Sequence, residues 1–254
     1  MSESVSPPPP PARSRLGLSR LFLPRSGRHR DVQDNGFRAG ILGAGDGLIT
    51  NISLVLGMAG ATTNASAVRA AGVAGLLAGA FSMAAGELVS VRAHDELVRH
   101  ELDVERAELS DDPVGEQREL ADMYRARGVP AGDADTVARI LMANPDTALE
   151  AHAQLELGVD PEQTGTPRQA AVASFLSFSV GAILPLAPWF FMRGTAAVLG
   201  SVIIGALAAV TLGAAIGAFS GQSLWRTAGR MLLAAAVAAS VTYGVGRLLG
   251  VSAS

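Results

Sequence analysis

The sequence predicts an all-α membrane protein: a five-span transmembrane helical bundle with a small cytosolic helical domain inserted between spans 2 and 3. Of its 254 residues, 49% are hydrophobic and only 17% are charged, and its mean hydropathy is +0.32. This composition is too apolar for an ordinary soluble domain. Five apolar segments reach the roughly 20 residues that a spanning helix needs. Most acidic residues lie in one segment between two of these spans.

The five predicted spans lie near residues 40–61, 68–91, 169–191, 195–219 and 227–249. Seven Arg precede the first span, and positive charge beside a span is retained on the cytoplasmic side. The N-terminus and the acidic segment are therefore expected in the cytoplasm. The resulting domains are a disordered basic tail (1–38), spans 1 and 2 (39–92), the acidic domain (93–167), spans 3 to 5 (168–250) and a short tail (251–254).

The acidic domain stands out by its charge and its lack of helix breakers near the start. Between Ala93 and Pro167 lie 18 of the 23 acidic residues but only six of the 20 Arg, a net charge of −12. No Gly or Pro occurs from Glu87 to Ser110, so the second span is expected to continue into this domain as one helix. Further helices are expected from Asp112-Pro113, over Asp133 to Met142, and from a cap at Asn144 to about Leu157.

Two spans carry side chains that suit a cation path. Asp46 lies early in the first span, where an acid is tolerated mainly if it faces a bundle interior or a water-filled path. Met83 and Glu87 share one face of the second span, because they are four residues apart. A thioether beside a carboxylate suits Fe(II) better than Mg or Ca. The alternative is that Met83 only packs and that Glu87 reaches to the interface.

The acidic domain holds a second candidate group. Glu105, Glu108, Glu116 and Glu119 form the pattern E-x2-E-x7-E-x2-E. The turn at Asp112-Pro113 can fold the two pairs together into a carboxylate cluster, although a solvated acidic helix face has the same spacing. His152 and Glu156 are four residues apart on the last helix and can add two ligands. The chain has no Cys, which excludes disulfides and thiolate metal sites.

The chain resembles the vacuolar iron transporter family, including its nodulin-like branch. The resemblance rests on DGLITNISLVLGMAGA in the first span, on AGAFSMAAGELVSVRAHDE in the second, and on the segment from NPDTALEAH to PLAPWFF. It covers about residues 38 to 250. It implies a homodimer of five-span subunits that exports cytosolic Fe(II), and often other divalent metals such as Mn, Co or Zn, in exchange for protons. The cytosolic domain then collects metal before the pore.

The resemblance also assigns roles to residues of this chain. The pore acid falls on Asp46 and the pore methionine on Met83, with Glu87 one turn beyond it. The cytosolic metal ligands fall on Glu105, Glu108, Glu116, Glu119 and Glu156. Two positions depart from the family pattern. A second-span glutamate of some members falls on Gly75, and the paired methionines of the plant-type cytosolic site fall on His152 and Ala153. Imidazole suits Zn, Co, Ni and Fe alike, so His152 bears on metal preference.

The sequence favours a transporter over an enzyme. The hypothesis is that the acidic domain gathers divalent cations and passes them to Asp46, Met83 and Glu87, where metal displaces protons. The alternatives are a membrane-tethered ferroxidase or a metal sensor that uses the glutamate cluster. Di-iron bundles repeat Glu-x-x-His, which occurs nowhere in this sequence. No nucleic-acid partner is expected. The GC-rich character and the lack of an organelle signal favour a bacterial plasma membrane.

Overall fold

The computed structural model describes residues 35–161 and 165–252, and these are helical with short connections. Five of the helices are long and apolar enough to cross a membrane, which confirms the predicted all-α fold with five spans. The predicted disordered tail lies outside the described residues up to residue 34. Its last four residues belong to the first helix, and the last helix continues to Ser252, into the predicted C-terminal tail.

The helices follow one another along the chain with connections of only a few residues, apart from the segment before the third span. In order they are α1 (Asn35–Ala61), α2 (Ala65–Asp111), α3 (Pro113–Ala126), α4 (Ala131–Leu141), α5 (Pro145–His152) continued by a π-helical turn (Ala153–Leu157), α6 (Pro167–Leu186), α7 (Pro188–Phe191), α8 (Gly194–Ser220) and α9 (Leu224–Ser252).

Helix α1 is the central span of the bundle. Half of its apolar segment is buried, against 11 to 33% for the other four spans, and it packs on α2, α6, α8 and α9. Two glycines allow this close approach. Gly181 of α6 lies against the carbonyl group of Ala44, and Gly246 of α9 lies against that of Gly57. A Cβ at either glycine would collide with the α1 backbone, so α6 and α9 hold α1 between them.

The third span ends at a buried hydrogen-bonded corner. Helix α6 ends at Leu186 and the short helix α7 begins at Pro188, because proline has no N–H to continue the helix. The buried Trp189 ring donates a hydrogen bond from Nε1 to Ser201 Oγ at 2.9 Å. Ser201 in turn donates to the carbonyl of Pro185 at 2.7 Å. These bonds fasten α6 and α7 to α8.

Helix α2 runs without a break for 47 residues, from the membrane-spanning segment into the acidic insert. This confirms the predicted continuation of the second span. The Asn64 side chain caps its start by accepting from the backbone N–H of Ser66 at 2.9 Å. At its other end the chain turns at Asp112, and α3 begins at once. The return segment meets α2 again, where Gly165 donates its backbone N–H to the Asp95 carboxylate at 3.1 Å.

The insert, here the segment 93–167, has an apolar core of its own between α3, α4 and α5. Its fully or largely buried members are Leu120, Ala121, Tyr124, Ala134 and Ala138. On the surface, the Arg125 guanidinium of α3 pairs with Asp122 of the same helix and with Asp135 of α4, and so joins α3 to α4. The insert is therefore a compact helical unit that packs on the extension of α2.

Candidate functional site

The insert brings three potential metal ligands together. Glu105 comes from α2, Glu116 from α3 and His152 from the end of α5, and one ligand atom of each lies within 4.8 Å of the other two. Glu105 and His152 are buried, while Glu116 is half-buried. We call these three residues the insert cluster. Two carboxylates and an imidazole so placed can hold one divalent cation.

Two helix starts produce this convergence. The Asp112 side chain accepts a hydrogen bond from the first turn of α3 at 2.9 Å, and Pro113 occupies the first helical position. Helix α3 therefore starts immediately after α2 and carries Glu116 in its first turn. Asn144 caps α5 in the same way, and His152 follows two turns later. Local cap chemistry thus sets the positions of two of the three ligands.

The buried His152 ring lies between oxygen atoms on both sides. Its Nδ1 lies 3.0 Å from the carbonyl oxygen of Ala148 and 3.8 Å from Glu105 Oε1. Its Nε2 lies 3.4 Å from the carbonyl oxygen of Glu116 and 3.6 Å from Glu116 Oε2. Both ring nitrogens thus face oxygen atoms, and the nitrogen that carries no proton can bind a metal ion.

Glu105 is an acid in an environment that disfavours its charge. Its Oε1 is buried and has no hydrogen-bond partner among the described residues. The pKa of Glu105 is raised from 4.5 to about 7, mainly by burial, although the nearby His152 acts in the opposite direction. The charges of three neighbouring carboxylates contribute to this rise: Glu156, Glu116 and Glu108. A cation at the insert cluster would neutralise this excess of negative charge.

The other three predicted ligands lie around the insert cluster and are exposed: Glu108, Glu119 and Glu156. Burial raises the pKa of Glu116 most, and the charge of Glu119 is the second largest cause of this rise. All three outer carboxylates thus act electrostatically on the insert cluster. The structure brings Glu105, Glu116 and His152 into mutual contact range, and it leaves the other three at the solvent edge.

The chain after His152 forms a π-helical turn over Ala153–Leu157, where an ordinary α-helix was predicted. Such turns are frequent at functional sites. The Arg127 side chain supports this one by donating to the carbonyl of Leu155 at 2.9 Å. Gly158 then ends the turn with φ of +67°. The wider turn carries Glu156, so the path of the backbone after His152 differs from the predicted one.

The predicted transport residues lie in α1 and α2. Asp46 is exposed in the single chain, and Met83 and Glu87 are half-buried. The Met83 methyl group lies against α1, 3.4 Å from where a Cβ of Gly43 would be, about one turn from Asp46. In the described residues, no ion pair joins Asp46 or Glu87 to a cationic side chain. Glu87 lies one helical turn from Met83 toward the insert.

Asn51 is a polar residue of α1 that the sequence reasoning missed. It is fully buried, and its Nδ2 donates to the carbonyl of Ala182 at 2.6 Å. Its Oδ1 has no partner among the described residues and lies beside Gly75 of α2, 3.3 Å from where a Cβ would be. An amide five residues after Asp46 in an apolar span is the feature that could have drawn attention to it.

Comparisons with known proteins agree on one family. The sequence model described as the VIT family matches residues 37–247. The chain is 36% identical over 214 residues to "Vacuolar iron transporter" of Acanthamoeba castellanii, covering 83% of this chain and 77% of that protein. It is 35% identical over 214 residues to "Vacuolar iron transporter homolog 1" of rice, covering 84% and 73%. Against "Vacuolar iron transporter 1" of Arabidopsis thaliana, it is 27% identical over 210 residues, covering 82% and 84%.

Proposed function

The chain belongs to the VIT family, and on that basis we propose that it is an iron transporter that exports cytosolic Fe(II) in exchange for protons. Relatives that cover more than four fifths of the chain carry the name vacuolar iron transporter. The single observation that best supports metal handling is the insert cluster, in which two carboxylates and an imidazole offer ligand atoms within 4.8 Å of one another.

The insert cluster is the collecting site in this proposal. It lies in a segment with a net charge of −12, which attracts divalent cations from solution. In the part of the chain that the structure describes, the cluster consists of three residues with one ligand atom each, and such a set suits one ion. A di-iron centre needs ligands for two metals, so the ferroxidase alternative draws less support. The sensor alternative uses the same cluster and differs from our proposal in having no transport.

Asp46 is the transport acid in this proposal. Leu42, Asp46 and Thr50 form an exposed stripe on α1, and a carboxylate in a membrane-spanning helix does not face lipid. We therefore infer that a second copy of the chain covers this stripe in a homodimer. The path then runs between two α1 helices, with Met83 near its wall and Glu87 toward the insert.

Proton exchange follows from the chemistry of these ligands. A carboxylate binds either a proton or a metal ion, so loading of metal releases protons. When protons enter from the far side, their inward flow drives metal outward. The same carboxylate and thioether set also accepts Mn, Co and Zn to different degrees. The basic N-terminus and the positive-inside rule support a cytosolic insert, and we propose the bacterial plasma membrane as its location.

Uptake by proteoliposomes tests this function. The full chain is reconstituted, and uptake of Fe(II), Mn(II), Co(II) and Zn(II) is followed with and without a pH gradient. We expect metal uptake that depends on an acidic lumen and that makes the lumen more alkaline, because protons leave as metal enters. Asp46→Asn keeps the size of the side chain and removes its charge, and we expect it to abolish transport, whereas the exposed Asp135→Asn retains it. Normal Fe(II) transport by Asp46→Asn would refute the mechanism.

A further inference from the structure

A groove lies between α8 and α9, and α1 forms its floor. Its volume is about 470 Å³, which falls within the range of roughly 300–1,000 Å³ typical of ligand sites. Ile52 and Leu56 of α1 are buried at its base, whereas Val202 and Ala236 on its rim are exposed. The groove therefore opens sideways between the two helices.

The chemistry of the groove changes along its length. Most of the lining is aliphatic, and the hydroxyl groups of Ser240 and Tyr243 lie toward one end of α9. Arg247 follows Tyr243 by one helical turn, so it extends the same face of α9, and it is exposed. The backbone of Arg247 lies against Gly60, near the end of α1 that is far from the insert. An apolar slot thus leads to a cationic side chain.

The surroundings of the groove favour lipid as its occupant. Every lining residue belongs to a helix that is long and apolar enough to span the membrane, and an opening of this size left empty would forfeit packing contacts. A second copy of the chain is a weaker candidate. Ile52 and Leu56 lie a quarter to a third of a turn around α1 from Asp46, on a different face from the stripe that we assign to the homodimer.

We propose that this groove binds an acyl chain of an anionic phospholipid, with Arg247 contacting the headgroup phosphate. The aliphatic lining matches the hydrocarbon chain, and Arg247 lies three residues before Gly250, where the candidate span ends. Arginine suits a phosphate because its planar guanidinium can donate two parallel hydrogen bonds. This lipid site is independent of the metal sites and of the transport mechanism.

A photoactivatable lipid tests the site on the unaltered full-length chain. Phosphatidylglycerol with a diazirine in the middle of one acyl chain is reconstituted with the protein, and the cross-linked residues are mapped by mass spectrometry. We expect cross-links to concentrate at Val202 and Ala236. Leu207 and Val237 serve as internal controls, since they are exposed by 64% and 55% and do not line the groove. Equal labelling of all four positions would mean ordinary surrounding lipid and would overturn the proposal.

Native mass spectrometry of variants gives a second readout. Ala236→Phe fills the groove and is expected to lose the lipid that the chain retains, whereas the matched Val237→Phe keeps it. Arg247→Gln is expected to lower the preference for phosphatidylglycerol over phosphatidylcholine about fivefold. This is the contribution expected of one basic side chain to binding at an anionic lipid surface. Equal retention by the two Phe variants overturns the proposal. The chain has no Cys, so disulfide formation between two Ala236→Cys copies would identify a second chain as the occupant instead.

Discussion

The Nε2 atom of His152 and the Oε2 atom of Glu116 are 3.6 Å apart, beyond a hydrogen bond but close enough for both to bind one ion. Glu105 Oε1 lies 3.8 Å from Nδ1 of the same ring. The three residues come from three helices and each has a ligand atom within 4.8 Å of the other two, so an ion held by all three would connect α2, α3 and α5. Metal binding to the insert cluster should therefore also stabilise the folded insert against unfolding.

Removal of a carboxylate from the insert cluster should weaken metal binding. For Glu105→Gln and Glu116→Gln we expect an affinity loss of at least about tenfold, as for disruption around metal ligands generally. The measurement is calorimetric titration of the full-length protein with Fe(II) under anaerobic conditions. Glu150→Gln is the matched control, because Glu150 is an exposed residue of α5 whose carboxylate accepts a hydrogen bond from Gln154 and lies outside the insert cluster. An unchanged affinity in both cluster variants would make the cluster a solvated acidic face.

The stability of the metal-free protein should fall as the pH rises from about 5 to 8. The pKa of Glu105 is raised from 4.5 to about 7 in the folded chain, so between these values the folded state holds more protons than the unfolded state. Ionisation at higher pH then places an uncompensated charge in a buried position. Thermal unfolding in detergent at several pH values measures this, and Glu105→Gln should flatten the dependence. If the stability of Glu105→Gln depends on pH as steeply as that of the unaltered chain, another group causes the dependence.

His152 should influence which metal is preferred. We expect His152→Gln to weaken binding of Zn(II) and Co(II) more than that of Mn(II), because imidazole suits the former and manganese favours oxygen ligands. Competition titrations with the three metals give the ratio of affinities. His100→Gln changes an exposed histidine of α2 and should leave this ratio as it is. A uniform loss for all metals would point to a structural role of the buried ring.

The proposed homodimer can be tested by cross-linking. Because the chain has no Cys, a single introduced thiol reports on one position. Thr50→Cys, one turn from Asp46 on the exposed stripe of α1, should form an intermolecular disulfide in the membrane. Leu207→Cys is the control, since this exposed residue lies on α8. Gel electrophoresis without reductant separates the two results, and cross-linking at Leu207 but not at Thr50 would place the interface on another face.

Ser201 should contribute to the stability of the bundle. Ser201→Ala leaves the buried Trp189 Nε1 and the Pro185 carbonyl without their shared partner, and we expect a loss of about 1 kcal/mol. Thermal unfolding of the purified protein measures it. Ser220→Ala removes an exposed hydroxyl that donates to the carbonyl of Ile216 within α8, and it should lower the stability less than Ser201→Ala. Equal effects would show that the Trp189 contact adds nothing.

The parts of the fold that follow from local residue patterns could be predicted. Apolar length predicts the five spans, and the absence of Gly and Pro predicts the continuous α2. The Asp112-Pro113 and Asn144 caps predict where α3 and α5 begin. These features depend on neighbours in sequence, and the structure agrees with each of them.

Other features depend on distant residues and could not be read from local patterns. The π-helical turn is supported by Arg127, which bonds to a carbonyl 28 residues away. Asn51 bonds to a carbonyl 131 residues away. Likewise, the spacing of the glutamates predicts a possible cluster but does not say which of them are buried. Only the packing of α3 and α5 on α2 separates Glu105 and Glu116 from the exposed Glu108 and Glu119.

The unbroken α2 helix limits how metal can move between the two proposed sites. Met83 and Glu105 are 22 residues apart on it, which corresponds to about 33 Å at 1.5 Å per residue. This is roughly four times the Debye length of about 8 Å at physiological ionic strength. In the proposed mechanism, a cation that leaves Glu105 would therefore diffuse through water before it meets the membrane path. We expect that occupancy of one site does not alter the affinity of the other, and the insert would act as a local reservoir that raises the frequency of capture.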